Sequence, residues 1–206
     1  PALASECFGA VVVTKLDDSR RIFAGAATKI YELVAGAWTD RAAFAYSASG
    51  DVRWSFTQFG DSTIAANSED YIQKSTTGAF ATIATAPKAK IVFSVGSFVM
   101  ALGTTDATYG NQPDRWWCSA TFDDTSWTPS LSTLATTGRL VSTPGKITAG
   151  GRLGEYAVVY KESAIYLGQF VGAVVPAGTS EADARTIVTH TPGWARGKPA
   201  AIVAAV

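Results

Sequence analysis

One recurring phrase constrains the fold of this chain more than any other feature: a β-hairpin pattern, a short turn, and then an aromatic residue among small and hydroxyl residues. The aromatic residues of the three copies are Trp38, Phe80 and Trp127. They follow one another at intervals of roughly 40 to 50 residues, the length of a four-stranded propeller blade. Such a repeat cannot bury its apolar face alone, so neighbouring units must stack. The sequence therefore predicts an all-β fold, a β-propeller-like stack of antiparallel sheets.

Strand-like runs separated by turn residues indicate three to four blades in one domain over residues 1–172. We expect the blades at roughly 8–45, 52–85, 88–130 and 144–172. In the third blade, a polar loop is expected over 103–114, and Trp127 is expected to close the unit. From 173 to 206 the composition shifts to Ala, Val, Pro and Gly, which predicts an irregular C-terminal arm or connecting segment. Because three or four blades without closure leave exposed sheet edges, we expect further residues, another chain or the tail to complete a ring.

The composition limits the classes of partner. The chain has 206 residues, of which 47% are apolar and only 17% charged, and its net charge is zero. Free binding to nucleic acid or to an anionic membrane normally needs a basic excess, and no apolar run is long enough to span a membrane. The low charge favours a surface covered by a partner subunit. We expect Arg20, Arg21, Lys88 and Lys90 on solvated faces, with charge facing a pore as the alternative.

The residue types that form catalytic and metal sites in other proteins do not form a recognisable site in this sequence. The single histidine, His190, lies in the irregular tail, where no catalytic triad can be built around it. The acidic pairs at 17–18 and 123–124 lie in turn clusters, where Asp bonds to its own backbone. Cys7 and Cys118 are expected to be buried, inert thiols, and a disulfide between them is left open. We therefore predict no catalytic residue, no cofactor and no metal.

Three tryptophans are candidates for an interface between subunits. In a strand, adjacent Trp116 and Trp117 must point to opposite faces. We expect one of them in the core of a blade and the other against a neighbouring blade or subunit. Trp194 lies in the expected arm, where its replacement by Ala is predicted to impair assembly rather than folding. Aromatic residues of this kind commonly anchor interfaces.

Several stretches, kept in the same order over residues 8–172, resemble a known family. They are RIFAGAATKIYEL at 21–33, FTQFGD at 56–61, 64–67, PKAK at 87–90, DRWWCS at 114–119, WTPS at 127–130, 154–156 and 164–166. Together they resemble the tail nozzle, or tail tubular, proteins of short-tailed bacteriophages and related prophages.

The resemblance implies a propeller-bearing structural protein of the virion and no catalytic residues. Copies would form a ring below the portal and its adaptor, in contact with other tail proteins. Double-stranded DNA would pass through the ring without sequence-specific binding, and the ring would help to retain and eject the genome.

The alternative is a carbohydrate-binding or sugar-cleaving propeller at a cell surface, which needs exposed aromatics and several carboxylates in a concave site. An interaction propeller of the WD class is disfavoured because its Gly-His and Trp-Asp signatures are missing.

Overall fold

The chain folds into four β-sheets of four strands each, which follow one another along the sequence. The computed structural model describes residues 2–48, 52–170 and 200–204, and this part of the chain contains no helix. Within each sheet, the strands lie side by side in sequence order. The all-β expectation is confirmed, and the number of sheets agrees with the upper limit of three to four units.

Each sheet is built from strands that are consecutive in the chain. Sheet 1 consists of β1 (Gly9–Thr14), β2 (Arg20–Gly25), β3 (Ile30–Val34) and β4 (Ala37–Asp40). Sheet 2 consists of β5 (Ser55–Phe59), β6 (Ser62–Ala66), β7 (Gln73–Ser75) and β8 (Ala81–Thr82). Sheet 3 consists of β9 (Lys88–Val95), β10 (Phe98–Asp106), β11 (Gly110–Cys118) and β12 (Thr136–Arg139). Sheet 4 consists of β13 (Ile147–Leu153), β14 (Tyr156–Lys161), β15 (Ile165–Phe170) and β16 (Ala200–Ala204). Neighbouring strands of this set pair antiparallel, except that β15 and β16 run parallel.

Tight hairpin turns fix the register of the sheets. Phe59 pairs with Ser62 and Val95 pairs with Phe98, so each of these hairpins turns on only two residues. The first residue of each turn, Gly60 or Gly96, has a φ of 55° or 54°, a conformation that glycine adopts without steric cost. Positive φ at this position matches the twist of the flanking strands. These turns therefore set which side chains face each neighbouring sheet.

The four sheets stack through their first strands. β1 contacts β5, β5 contacts β9, and β9 contacts β13. Between β5 and β9, hydroxyl groups bridge the two sheets: the amide of Ser94 donates to Oγ1 of Thr57 over 3.0 Å, and Oγ of Ser94 donates to the carbonyl of Gln58 over 2.8 Å. The first strands thus form a continuous line through the stack.

Three apolar layers lie between the four sheets. The layer between sheets 1 and 2 is built around Phe23, Trp54 and Phe80, with the rings of Phe23 and Phe80 edge to face at 5.3 Å. Ala65 of β6 belongs to this layer, whereas its neighbours Ile64 and Ala66 face the layer between sheets 2 and 3. The third layer lies between sheets 3 and 4 and includes Leu102, Trp116, Val159 and Tyr166. Sheets 2 and 3 are consequently buried on both faces.

The third sheet differs from the sequence expectation in two ways. The stretch expected as a polar loop over 103–114 is mostly paired strand, because β10 runs to Asp106 and β11 begins at Gly110. A bulge at Gly103, with a φ of 61°, shifts the register and lets the hairpin continue. Trp127 does not form the outermost strand. That strand is β12, and Trp127 is a fully buried loop residue whose Nε1 donates to the carbonyl of Asp124 over 2.9 Å.

Candidate functional site

Trp116 and Trp117 face opposite layers of the stack. Trp116 packs between sheets 3 and 4, and Trp117 packs between sheets 2 and 3. Their exposed fractions are 4% and 7%, because sheets of this same chain cover both indoles. The expected division of the pair between two faces is therefore observed. Replacing either residue would disturb folding first, so neither is a clean probe of assembly, and their role at an interface stays a prediction.

Two further residues from the sequence analysis, Trp194 and His190, lie outside the described residues. Of the expected C-terminal arm over 173–206, the structure describes only β16. The predicted role of Trp194 in assembly stays a prediction.

The acidic pairs form turns, as expected. Asp17 accepts hydrogen bonds from the amide and hydroxyl of Ser19, and Asp123 accepts the same pair of bonds from Thr125. These hydrogen bonds lower the pKa of both carboxyl groups. Asp124 instead pairs with Lys74 over 2.8 Å. Asp17 and Asp123 thus stabilise their own turns, and Asp124 forms a contact with sheet 2.

The two cysteines are free and lie in different environments. Cys118 is buried between sheets 3 and 4, and burial raises the pKa of its thiol to about 12. Cys7 precedes β1 and is exposed, which corrects the expectation that both thiols are buried. Its Sγ donates to the carbonyl of Gly9 over 3.3 Å. Its neighbour Phe8 is the residue of this pair that enters the core between sheets 1 and 2.

A buried ionic cluster joins sheets 1 and 2. Nε of Arg21 donates to Glu32 over 2.6 Å, and Nε of Arg41 donates to the other carboxylate oxygen over 2.7 Å. The Arg21 guanidinium also donates to Oγ of Ser75 over 3.1 Å and to the carbonyl of Gly78. Burial raises the pKa of Glu32, but the hydrogen bonds from the two arginines outweigh it and hold this pKa below its ordinary value. Arg21 is thus buried, contrary to the expectation of a solvated face, since strand alternation places it on the same face as Phe23, the cross-strand partner of the buried Glu32.

Charged side chains also form hydrogen bonds at the junctions between sheets 2 and 3 and between sheets 3 and 4. Lys74 of sheet 2 reaches Asp124 in the connection that follows β11. Lys161 of sheet 4 is buried, and its Nζ donates to the carbonyls of Leu140 and Thr143 in the connection between sheets 3 and 4. Each junction therefore combines an apolar layer with directional hydrogen bonds, which favours a fixed angle between the sheets.

An apolar groove of about 560 Å³ opens between sheets 3 and 4. Its floor includes Phe98, Met100 and Trp116, and Phe122 stands at its rim. Phe122 is 83% exposed. Its φ is 56°, a conformation that bulky residues rarely adopt. Glu155 supplies the one carboxylate among the lining residues. The groove can hold an apolar or aromatic group, but it lacks the paired carboxylates that glycoside cleavage needs.

No protein-family model matches the chain, and no curated protein is similar to it in sequence. In the described part of the chain, no three His, Cys, Asp or Glu side chains are grouped closely enough to hold a metal ion. The same residues include no helix that could cross a membrane.

Sequence reasoning missed the groove between sheets 3 and 4. Phe98 and Met100 read as ordinary core residues of a hairpin, and Phe122 reads as part of a turn. The groove forms because these residues come together with Glu155 and Gln169 from the next sheet. Nothing in the local pattern of either segment signals that the two sheets leave a gap at this point.

Proposed function

We propose that this chain is a structural protein of a bacteriophage tail, which forms part of the wall of a ring through which DNA passes. The four sheets would be an arc of a β-propeller, completed by further blades or by another chain. Stacked sheets that are joined by buried ion pairs make a stiff wall. The stretches of sequence that resemble tail nozzle proteins, which keep the same order along the chain, are the basis for proposing a role in the virion. The ring would lie in the virion, next to portal, adaptor and other tail proteins, and would help to retain and eject the genome.

The observation that carries this proposal is the apolar character of the two outer faces of the stack. On sheet 4, the outer face presents Tyr160 and its cross-strand partner Ile165, which is 46% exposed. On sheet 1, it presents Val12, which is 61% exposed, opposite Ile22. Sheets 2 and 3 bury equivalent faces against their neighbours. Repeat units with uncovered apolar faces need caps or further units.

Stacking of copies is the simplest way to cover both faces. The outer face of sheet 4 in one copy would pack against the outer face of sheet 1 in the next. Such a head-to-tail contact uses two different surfaces, and it closes into a ring when the rotation between copies divides a full turn. An interface of standard size buries ~1,600 Å² in total.

The mass of the native assembly tests the proposal. Light scattering coupled to size exclusion should show a defined multiple of the 21.5 kDa chain, and negative-stain images should show rings. A monodisperse monomer across the micromolar range, or open filaments without rings, would contradict a ring built by this chain alone.

The apolar groove favours one second candidate, a carbohydrate-binding module. Exposed Phe122 beside a concave apolar surface is the kind of arrangement on which a sugar ring stacks. Binding on a glycan array that disappears in Phe122→Ala, with the monomer otherwise unchanged, would favour this function over the structural one.

A further inference from the structure

A basic groove lies at the end of sheet 3 where β9 begins. Two adjoining cavities of about 360 and 370 Å³ share Ser68 and Lys90 and together form this groove. Its positive side chains are Arg53, Lys88, Lys90 and Lys146. These residues come from the beginnings of three successive units, so only the stacking of sheets 2, 3 and 4 brings them together.

The register of sheet 3 sets polar donors in a row along this groove. Lys88 pairs with Thr105, and Thr105 pairs with Asn111, so the three side chains share one face of the sheet. Lys90, two residues along β9, lies on the same face. Ammonium, hydroxyl and amide groups are all hydrogen-bond donors, and together they suit a ligand with several acceptor oxygens.

The positive charge of the groove is only partly neutralised. Lys88 donates to the backbone carbonyl of Glu69 over 2.6 Å and lies 5.6 Å from the centre of the Tyr71 ring, and neither contact supplies a carboxylate for its charge. Lys146 has a loose ion pair with Glu162 at 3.7 Å, and Glu69 is the carboxylate that lines the cavity itself. The Lys90 ammonium has no hydrogen bond or ion pair with any residue in the described ranges. A local basic excess therefore exists on a chain whose net charge is zero.

We infer that the basic groove binds a ligand that carries several phosphate groups in a row. Lysine is a compact point charge that binds phosphate oxygens from many directions, and nearby hydroxyl and amide groups complete their coordination. A ligand with a single carboxylate would contact only part of this surface, whereas a ligand with consecutive phosphates can contact Lys88, Lys90 and Lys146 together. A linear polyphosphate and a nucleic-acid backbone share this chemistry. The inference rests on the charges of the groove and does not depend on ring formation.

The test measures binding of two probes to the intact chain at low salt, sodium tripolyphosphate and a short DNA duplex of mixed sequence. The test variant is Lys90→Gln/Lys146→Gln. Its matched control is Lys15→Gln/Arg20→Gln, which removes the same charge from the first hairpin of sheet 1, outside the groove. Affinity is measured by calorimetry, and amide shifts in nuclear magnetic resonance spectra locate the site.

We expect at least one probe to bind, with shifts centred on Ser68, Lys90 and Thr105. The groove variant should bind about tenfold more weakly or worse, and the control should stay within about twofold. If DNA binds, the slope of the logarithm of its affinity against the logarithm of the salt concentration should be smaller in magnitude by about two in the groove variant. Binding of both probes indicates general phosphate recognition, and binding of DNA alone indicates the nucleic-acid backbone. Absence of binding by both probes, or equal losses in variant and control, overturns the inference, and the mass of the assembly is unaffected in either case.

Discussion

At the scale of single residues, glycine makes room for tryptophan at the junction of sheets 1 and 2. A Cβ atom on Gly25 would lie 2.3 Å from Cγ of Trp54, and one on Gly9 would lie 2.6 Å from the carbonyl oxygen of Trp54. The indole is buried, and its Nε1 donates to the carbonyl of Ala26 over 2.9 Å. The absence of two side chains on sheet 1 thus shapes the space that this indole fills.

Replacing Gly25 by Ala should destabilise the fold by about 1–3 kcal/mol, since the added methyl group overpacks a rigid indole. Urea unfolding followed by tryptophan fluorescence measures the change. Gly151→Ala is the control, because Gly151 also lies in a strand but a Cβ there meets no atom within 4 Å. Equal effects of the two substitutions would show that the close contact with Trp54 is not the cause of the lost stability.

The two thiols should react differently. Because burial raises the pKa of Cys118 to about 12, it supplies almost no thiolate at pH 8, whereas Cys7 is exposed. A colorimetric thiol reagent should titrate one group in the native protein and two in denaturant. Cys7→Ser should abolish the native reaction, and rapid modification of Cys118 in that variant would contradict the burial of this strand.

At the scale of elements, the ionic cluster around Glu32 should make the junction of sheets 1 and 2 sensitive to acid. The pKa of Glu32 is lower in the folded chain than the ordinary value of about 4.3, so ionised Glu32 contributes stability above that pH. This contribution is lost as the pH falls through the folded pKa. The wild type should therefore lose more unfolding free energy between about pH 5 and pH 2 than Glu32→Gln does.

At neutral pH, Glu32→Gln should itself cost about 3–5 kcal/mol, because it leaves Arg21 buried without its carboxylate. The pKa values of Asp17, Asp40 and Asp123 are also lowered, but by hydrogen bonds that do not involve Glu32, so we expect the difference between the two pH profiles to isolate Glu32. Parallel profiles would show that Glu32 is not the acid-sensitive group.

The elements that could be predicted are those with a strong local signal. Alternating β-branched residues and two-residue glycine turns indicate hairpins such as β9–β10, and the adjacent Trp116 and Trp117 indicate a strand buried on both faces. The part of the β10–β11 hairpin nearest its turn was predicted to be a loop because its residues are polar. Antiparallel strands nevertheless tolerate polar residues on a solvated face. β12 was missed because a buried loop tryptophan, Trp127, looks the same in sequence as a strand tryptophan.

The candidate sites were less predictable than the strands. Lys88 and Lys90 could be seen as a basic pair, but their proximity to Lys146 depends on the stacking of sheets 3 and 4. Arg21 and Glu32 lie on different strands, and the sequence does not show that they pair. Contacts between sheets are set by register and stacking angle, which no local pattern encodes.

At the scale of the whole molecule, the outer face of sheet 1 should be needed for assembly but not for folding. Val12→Lys places a charge on this face, and burying that charge between copies would be costly. We expect the variant to lose the assembled mass and, at a dilution where the wild type is also dissociated, to have the same thermal midpoint as the wild type. The matched control is Val141→Lys, on a loop, where Val141 is 64% exposed against 61% for Val12. An unchanged mass for Val12→Lys would exclude this face from the interface.

Burial of sheets 2 and 3 on both sides has a consequence for how the molecule opens. In a linear stack, each unit is held only by its neighbours, so fraying starts at the ends and the middle opens last. Backbone amides of β6, where every residue is buried, should exchange with deuterium far more slowly than those of β1 or β14. A subunit added to either end would slow exchange there first, so protection factors would report which end a neighbour occupies.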